Sequence, residues 1–204
     1  VWISGFFGSG KSHMAKMLRT LWVDQAFPDG LTARHIANLP QNVADAFKEL
    51  SIQSRRYGGL HAASGTLGAG ANNNVRLALL GIIFKSAGLP EQYHQARFVL
   101  WLKEQGYFDA VKQAVEDAGK PWERELSKLY VSPLIANALL QAYPDMASDT
   151  QGVHQLLKGQ FPTVTDVTND QMVQAIADAL DREGQFPLTL VVLDEVQQYV
   201  GNDV

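Results

Sequence analysis

Apolar positions follow a helical spacing over most of this chain and a strand-like run in only three places. Residues 11–25 carry Met14, Met17, Leu18 and Leu21 on one helical face, with Lys16 and Arg19 turned away from it. Helical spacing resumes over 40–54 through Val43, Ala46, Phe47 and Leu50, and the run 77–84 is apolar nearly all round, as in a buried helix. Pro90 then opens a segment containing Tyr93, Phe98, Val99, Leu100, Trp101 and Leu102. Phe108, Val111 and Val115 form a stripe ended by Gly119, and Pro121 starts another with Trp122, Leu126 and Leu129. Ser132-Pro133 reads as an N-cap followed by the first helical position. Thr168 with Gln171 reads as a capping box before Met172, Val173, Ile176 and Leu180, in a helix that ends near Gly184. The strand-like runs are Val1-Trp2-Ile3, the small-residue stretch 59–67, expected to pack closely on the first helix or loop, and Leu188-Thr189-Leu190-Val191-Val192-Leu193. The last has the continuous apolar character of a strand buried on both faces of a parallel sheet.

The order of these patterns predicts an α/β domain in two pieces, residues 1–74 and 162–204, separated by a mainly helical insertion over 75–161. At 204 residues and 46% hydrophobic content the chain can bury one sizeable core. It has no cysteine, which excludes disulfides, thiolate metal sites and cysteine nucleophiles. The longest apolar run is too short to span a membrane, and no signal peptide is visible, so a cytoplasmic protein is expected. Opening at Val1 inside an expected strand, the chain reads as a fragment. Residues 1–88 hold nine Lys/Arg against four Asp/Glu, and residues 151–204 two against eight, so the amino-terminal part is the one suited to an anion.

That part contains Gly5-Phe6-Phe7-Gly8-Ser9-Gly10-Lys11-Ser12, which fits the phosphate-loop pattern G-x-x-x-x-G-K-[ST] between an apolar run and a helical one. Glycines let the backbone turn its N–H groups inward, and the following helix adds its positive end. Gly5, Gly8, Ser9, Gly10, Lys11, Ser12 and His13 are therefore the expected ATP-binding residues. Lys11 reaches the β- and γ-phosphates and counts as catalytic, and Ser12 offers its hydroxyl to Mg²⁺. The plainer alternative is a glycine-rich turn entering an ordinary helix.

Asp194-Glu195 closes the run 188–193 in the pattern called Walker B. Asp194 is the expected second metal residue and Glu195 the expected catalytic base that deprotonates the attacking water. A base beside the metal-binding acid favours hydrolysis over transfer to a small acceptor, and no Asn-Lys-x-Asp guanine-reading motif occurs. The expected fold is thus a three-layer P-loop NTPase with a parallel sheet. Arg55-Arg56 reads as a cationic helix end, with a phosphate or acidic-partner contact as the alternative. His61 reads as a packed side chain, with a γ-phosphate contact as the alternative. The remaining histidines lack metal-site spacing, and the aromatics of 93–122 are spaced as core rather than as a base-stacking platform.

Residues 1–13 and the segment Leu190-Val191-Val192-Leu193-Asp194-Glu195-Val196-Gln197-Gln198-Tyr199 resemble the large P-loop ATPases of bacteriophage-exclusion defence systems, the BrxC/PglY family. Gly59-Leu60-His61-Ala62-Ala63-Ser64-Gly65 and Ala96-Arg97-Phe98-Val99-Leu100-Trp101-Leu102 are similar as well. The resemblance implies an AAA+-like ATPase acting in a bacterial cytoplasm, as a homo-oligomer or with other defence proteins. It implies DNA contact only through regions beyond these residues. No arginine finger is identifiable, so hydrolysis by the chain alone is expected to be weak. A nucleotide-gated structural module and a DNA-handling motor are the alternatives.

Overall fold

The computed structural model describes residues 1, 3–4, 8–67 and 74–196. In chain order the elements are α1 (Lys11–Trp22), α2 (Ala33–Ile36), α3 (Gln41–Ser54), β1 (Leu60–Thr66), α4 (Val75–Ser86), α5 (Tyr93–Glu104), α6 (Phe108–Asp117), α7 (Trp122–Leu126), α8 (Pro133–Ala142), α9 (Thr150–Gln160), α10 (Asn169–Leu180) and β2 (Leu188–Asp194). A turn of 3₁₀ helix at Pro144–Met146 joins α8 to α9.

Among the described residues the expected three-layer sheet is not formed. The described residues are mostly helical, and their single sheet has two parallel strands, with Leu60 opposite Leu188 and Thr66 opposite Asp194. Val1 and Ile3 lie outside any strand and are exposed, while Trp2 falls outside the described residues. β2 is half-buried rather than sealed on both faces, Val191 being 39% exposed.

Where the apolar surface is buried explains the difference. The main core is helical, with Leu80, Phe84, Phe98, Leu102, Val111, Val115, Ile135, Leu139, Val153 and Leu157 packed together, whereas the cluster beneath the sheet has only Ala63, Ile83 and Leu180 fully inside. Two strands offer a narrow surface, so the stripe of α1 is covered only in part: Leu21 is half-buried but Met14, Met17 and Leu18 are exposed. β1 packs on α1 as its small residues suggested, and also on α4. A Cβ on Gly65 would lie 2.5 Å from Ile82 Cγ1, so glycine is what permits the approach of β1 to α4.

Within the helical part the local signals read correctly. Ser132 caps α8 by accepting the Ile135 N–H, and its own hydroxyl donates to buried Glu125 at 2.6 Å. Thr168 and Gln171 form the reciprocal capping box of α10. That helix stops at Leu180, short of Gly184, where Glu183 and Gly184 take positive φ in a tight turn closed by the Arg182–Gln185 bridge. The aromatic residues are core: Phe98 meets Phe161 edge-on at 5.6 Å, and Phe108 meets Trp122 at 6.0 Å.

The end of α1 is fixed by Arg34, which no motif singles out. Its guanidinium donates to Leu21 O (2.7 Å), Trp22 O (2.6 Å), Phe47 O (3.0 Å) and Ser51 Oγ (2.6 Å), and lies 4.6 Å over the Phe47 ring. Asp24, at φ 50, closes α1 and accepts the Arg34 N–H at 2.9 Å. Partial burial holds the guanidinium pKa below its ordinary value, with Asp24 acting in the opposite sense. Arg34→Ala strands three carbonyls at the junction of α1, α2 and α3. It is expected to lower stability by about 2 kcal/mol in urea denaturation, and an unchanged midpoint would show that water replaces the guanidinium without loss.

Candidate functional site

The described part of the phosphate loop has the backbone that its glycines suggest. Gly8 and Gly10 stand at φ 81 and φ 83, in the left-handed region, and Gly10 is the residue that precedes α1. Nothing lies within 4 Å of a Cβ added at either, so the demand for glycine there is conformational rather than steric. Gly5, with Phe6 and Phe7, lies outside the described residues. Lys11 Nζ donates to Ser9 Oγ at 3.4 Å, and Ser12 and His13 are exposed on the first turn of α1. That turn holds no acidic residue, so the positive end of the helix and an ammonium group face the same space.

The second motif sits where β2 ends. Asp194, paired with Thr66, is half-buried, and its Oδ1 accepts the Glu195 N–H at 2.9 Å. Glu195 is exposed and stands at φ 57, a conformation that costs a side-chain-bearing residue on the order of 1 kcal/mol and recurs at functional positions.

Two contacts set how the motifs face each other. Trp22 Nε1 donates to Leu188 O at 3.1 Å, tying the last residue of α1 to the first of β2. Arg19 lies near enough to His61, at the amino end of β1, to act on its charge. From this anchored end α1 packs on both strands. Twelve helical residues at ~1.5 Å and seven strand residues at ~3.3 Å cover similar distances, so a helix lying antiparallel to the strands from that anchor would carry Lys11 toward the level of Asp194.

At that end a hydroxyl (Ser12) and a carboxylate (Asp194) are hard oxygen donors of the kind Mg²⁺ takes. Among the described residues no group of three or more His, Asp or Glu could hold a metal ion alone. A cation here would complete its shell with phosphate and water oxygens, which is the usual arrangement for Mg²⁺ on a nucleotide.

The other candidates fall elsewhere. His61 is at the opposite end of the sheet from Asp194, buried, with Nε2 2.9 Å from Ser86 Oγ, so the packed reading describes it. Burial, then Arg182 and Arg19, lower its pKa. Arg55 and Arg56 are exposed where α3 ends. Sequence reasoning missed Arg34, whose role depends on carbonyls from both α1 and α3, and missed the charged residues grouped around His61.

No family model matches the chain, and a search of solved structures returned no match. Among the described residues no helix is long and apolar enough to cross a membrane.

Proposed function

We propose that this chain binds ATP with Mg²⁺ at the carboxyl ends of its two strands and hydrolyses it. The observation that carries the reading is the left-handed conformation of Gly8 and Gly10 directly before α1 in the G-x-x-x-x-G-K-S sequence, and the Trp22–Leu188 tie of that helix to the strand that ends in Asp194 supports it. Loop N–H groups and the α1 end bind the phosphates, Lys11 neutralises the β/γ pair, and Ser12 and Asp194 would hold Mg²⁺. When bound, the metal neutralises charge on the β- and γ-oxygens. Glu195 takes the proton of the attacking water, which joins the γ-phosphorus as the bond to the β-bridging oxygen breaks, giving ADP and phosphate.

The residues around both motifs resemble phage-exclusion ATPases, and we place the activity in that setting, with a second copy or a defence protein as partner. The isolated chain turns over slowly in this reading, since a trans arginine contributes about 10³–10⁵ in rate to related chemistry. The test is calorimetric titration of the chain with ATP, with and without Mg²⁺, together with phosphate release. Magnesium-dependent ATP binding supports the proposal, and no binding in either condition overturns it. Binding without measurable release under single-turnover conditions favours a nucleotide-gated module.

Gly10→Ala puts a Cβ on a residue at φ 83 without crowding any neighbour, so its effect isolates backbone strain. A free loop that escapes the strain by leaving φ 83 meets the cost of about 1–2 kcal/mol on binding, weakening ATP roughly 10-fold, whereas a loop held at φ 83 meets it in stability and lowers the thermal midpoint by several degrees. An affinity and a midpoint both equal to wild type would mean that the loop does not hold this conformation.

A further inference from the structure

A second polar site lies at the far end of the sheet from Asp194. A half-open cleft of about 360 Å³ runs between the start of β1, the end of α4, α5 and the end of α10, and its polar lining is His61, Ser86, Lys103, Asp178, Asp181 and Arg182. Five strand residues at ~3.3 Å separate His61 from the level of Thr66 and Asp194, so the cleft is distinct from the proposed nucleotide site.

The hydrogen bonds decide what each group offers a ligand. Ser86 has one hydroxyl proton, which donates to Ile83 O at 2.7 Å, so His61 Nε2 is the donor toward Ser86 Oγ at 2.9 Å. The opposite ring nitrogen, Nδ1, then carries a lone pair. Every fully buried polar side-chain atom among the described residues has a partner; Nδ1 makes no hydrogen bond there, so it is not fully buried, and His61 lines the cleft. Burial and the nearby cations Arg182 and Arg19 keep the ring neutral near pH 7, consistent with that lone pair.

The carboxylates are largely spoken for. Asp178 is ion-paired with Arg97 and accepts from Gln174 Nε2 at 2.7 Å, and Asp181 Oδ1 accepts the Gly184 N–H at 2.7 Å. The cations are less so. Lys103 rests 5.2 Å over the Phe108 ring, and Arg182 spends one N–H on Gly58 O at 2.6 Å; neither has a carboxylate within 4.0 Å among the described residues. The lining carries two cations and two carboxylates, and one of the carboxylates, Asp178, is already neutralised by Arg97 from outside it. A neutral imidazole acceptor beside two cations without carboxylate partners is suited to a donor hydroxyl carried next to a negative group.

We propose that this cleft binds a small organic anion bearing a hydroxyl, its charge on Lys103 and Arg182 and its hydroxyl donated to His61 Nδ1. The shared chemistry fits a hydroxycarboxylate or a phosphate ester of a small polyol, and the probes separate them: malate, succinate as the dicarboxylate without the hydroxyl, and glycerol 3-phosphate. Each is titrated into the whole chain and followed by amide NMR shifts. The expected result is saturable shifts clustered at residues 61, 86, 103 and 182. Malate or glycerol 3-phosphate should bind at least ~5-fold more tightly than succinate, the share of about one hydrogen bond. Lys103→Met keeps the stem against Phe108 and removes the charge, and should weaken the tighter probe about 10-fold. Whichever hydroxylated probe binds more tightly names the source. Shifts confined to residues 8–12, no saturable binding by any probe, equal binding of malate, glycerol 3-phosphate and succinate, or an unchanged affinity in Lys103→Met would each overturn the proposal. These readouts use no ATP, so they stand or fall separately from the hydrolysis reading.

Discussion

Glu195→Gln is expected to keep ATP bound and to lower its hydrolysis by about 10²–10⁴-fold, the usual share of a positioned general base. Glutamine matches the length and hydrogen-bonding reach of glutamate but cannot accept the proton of the attacking water. Because Glu195 is exposed, with its backbone at φ 57 held by the Asp194 carboxylate, the substitution leaves the strand end intact. Asp194→Asn should fail differently. It removes a charge from the metal side and also alters the oxygen that receives the Glu195 N–H, so Mg-ATP affinity should fall along with turnover. Nucleotide affinity and single-turnover hydrolysis, measured in parallel for both variants, check the assignment. Glu195→Gln hydrolysing at the wild-type rate would remove Glu195 as the base and leave the nucleotide-gated module as the better reading.

Lys11→Ala is expected to weaken ATP binding on the order of 100-fold, the equivalent of about 2.7 kcal/mol from charge-assisted hydrogen bonds to the β/γ-phosphates. Lys11 is the first residue of α1 and lies on a half-exposed helix end, so its loss should barely change the unfolding midpoint. Calorimetric titration with ATP and with ADP separates the contribution at the γ-phosphate. An ATP affinity equal to wild type would mean that the loop is only a turn into a helix. In an intact phage-exclusion system both Lys11→Ala and Glu195→Gln should abolish protection, measured as plating efficiency of phage, if the resemblance extends to function.

Much of the chain could be read from residues near one another in sequence. The Ser132 cap, the Thr168–Gln171 box, the helices of 75–161 and both paired strands follow from spacing, because caps and periodicity act over three or four residues. The chemistry proposed for the loop and for Asp194-Glu195 rests on the sequence motifs, because a phosphate cradle is built from consecutive backbone groups. What the sequence could not determine was how much sheet these strands would make. An apolar run such as 188–193 reads as buried on both faces, yet burial depends on what covers it, and here most apolar surface is taken by helices packing on one another. For the same reason the face of α1 carrying Met14, Met17 and Leu18 reads as core and stands exposed. Only the tertiary structure decided that Arg34 would gather the carbonyls of Leu21, Trp22 and Phe47, and that His61 would meet Ser86 beside Lys103 and Arg182. Those groups come from segments far apart along the chain, and hydrogen-bond geometry between distant segments is set by packing, which leaves no periodic trace in sequence.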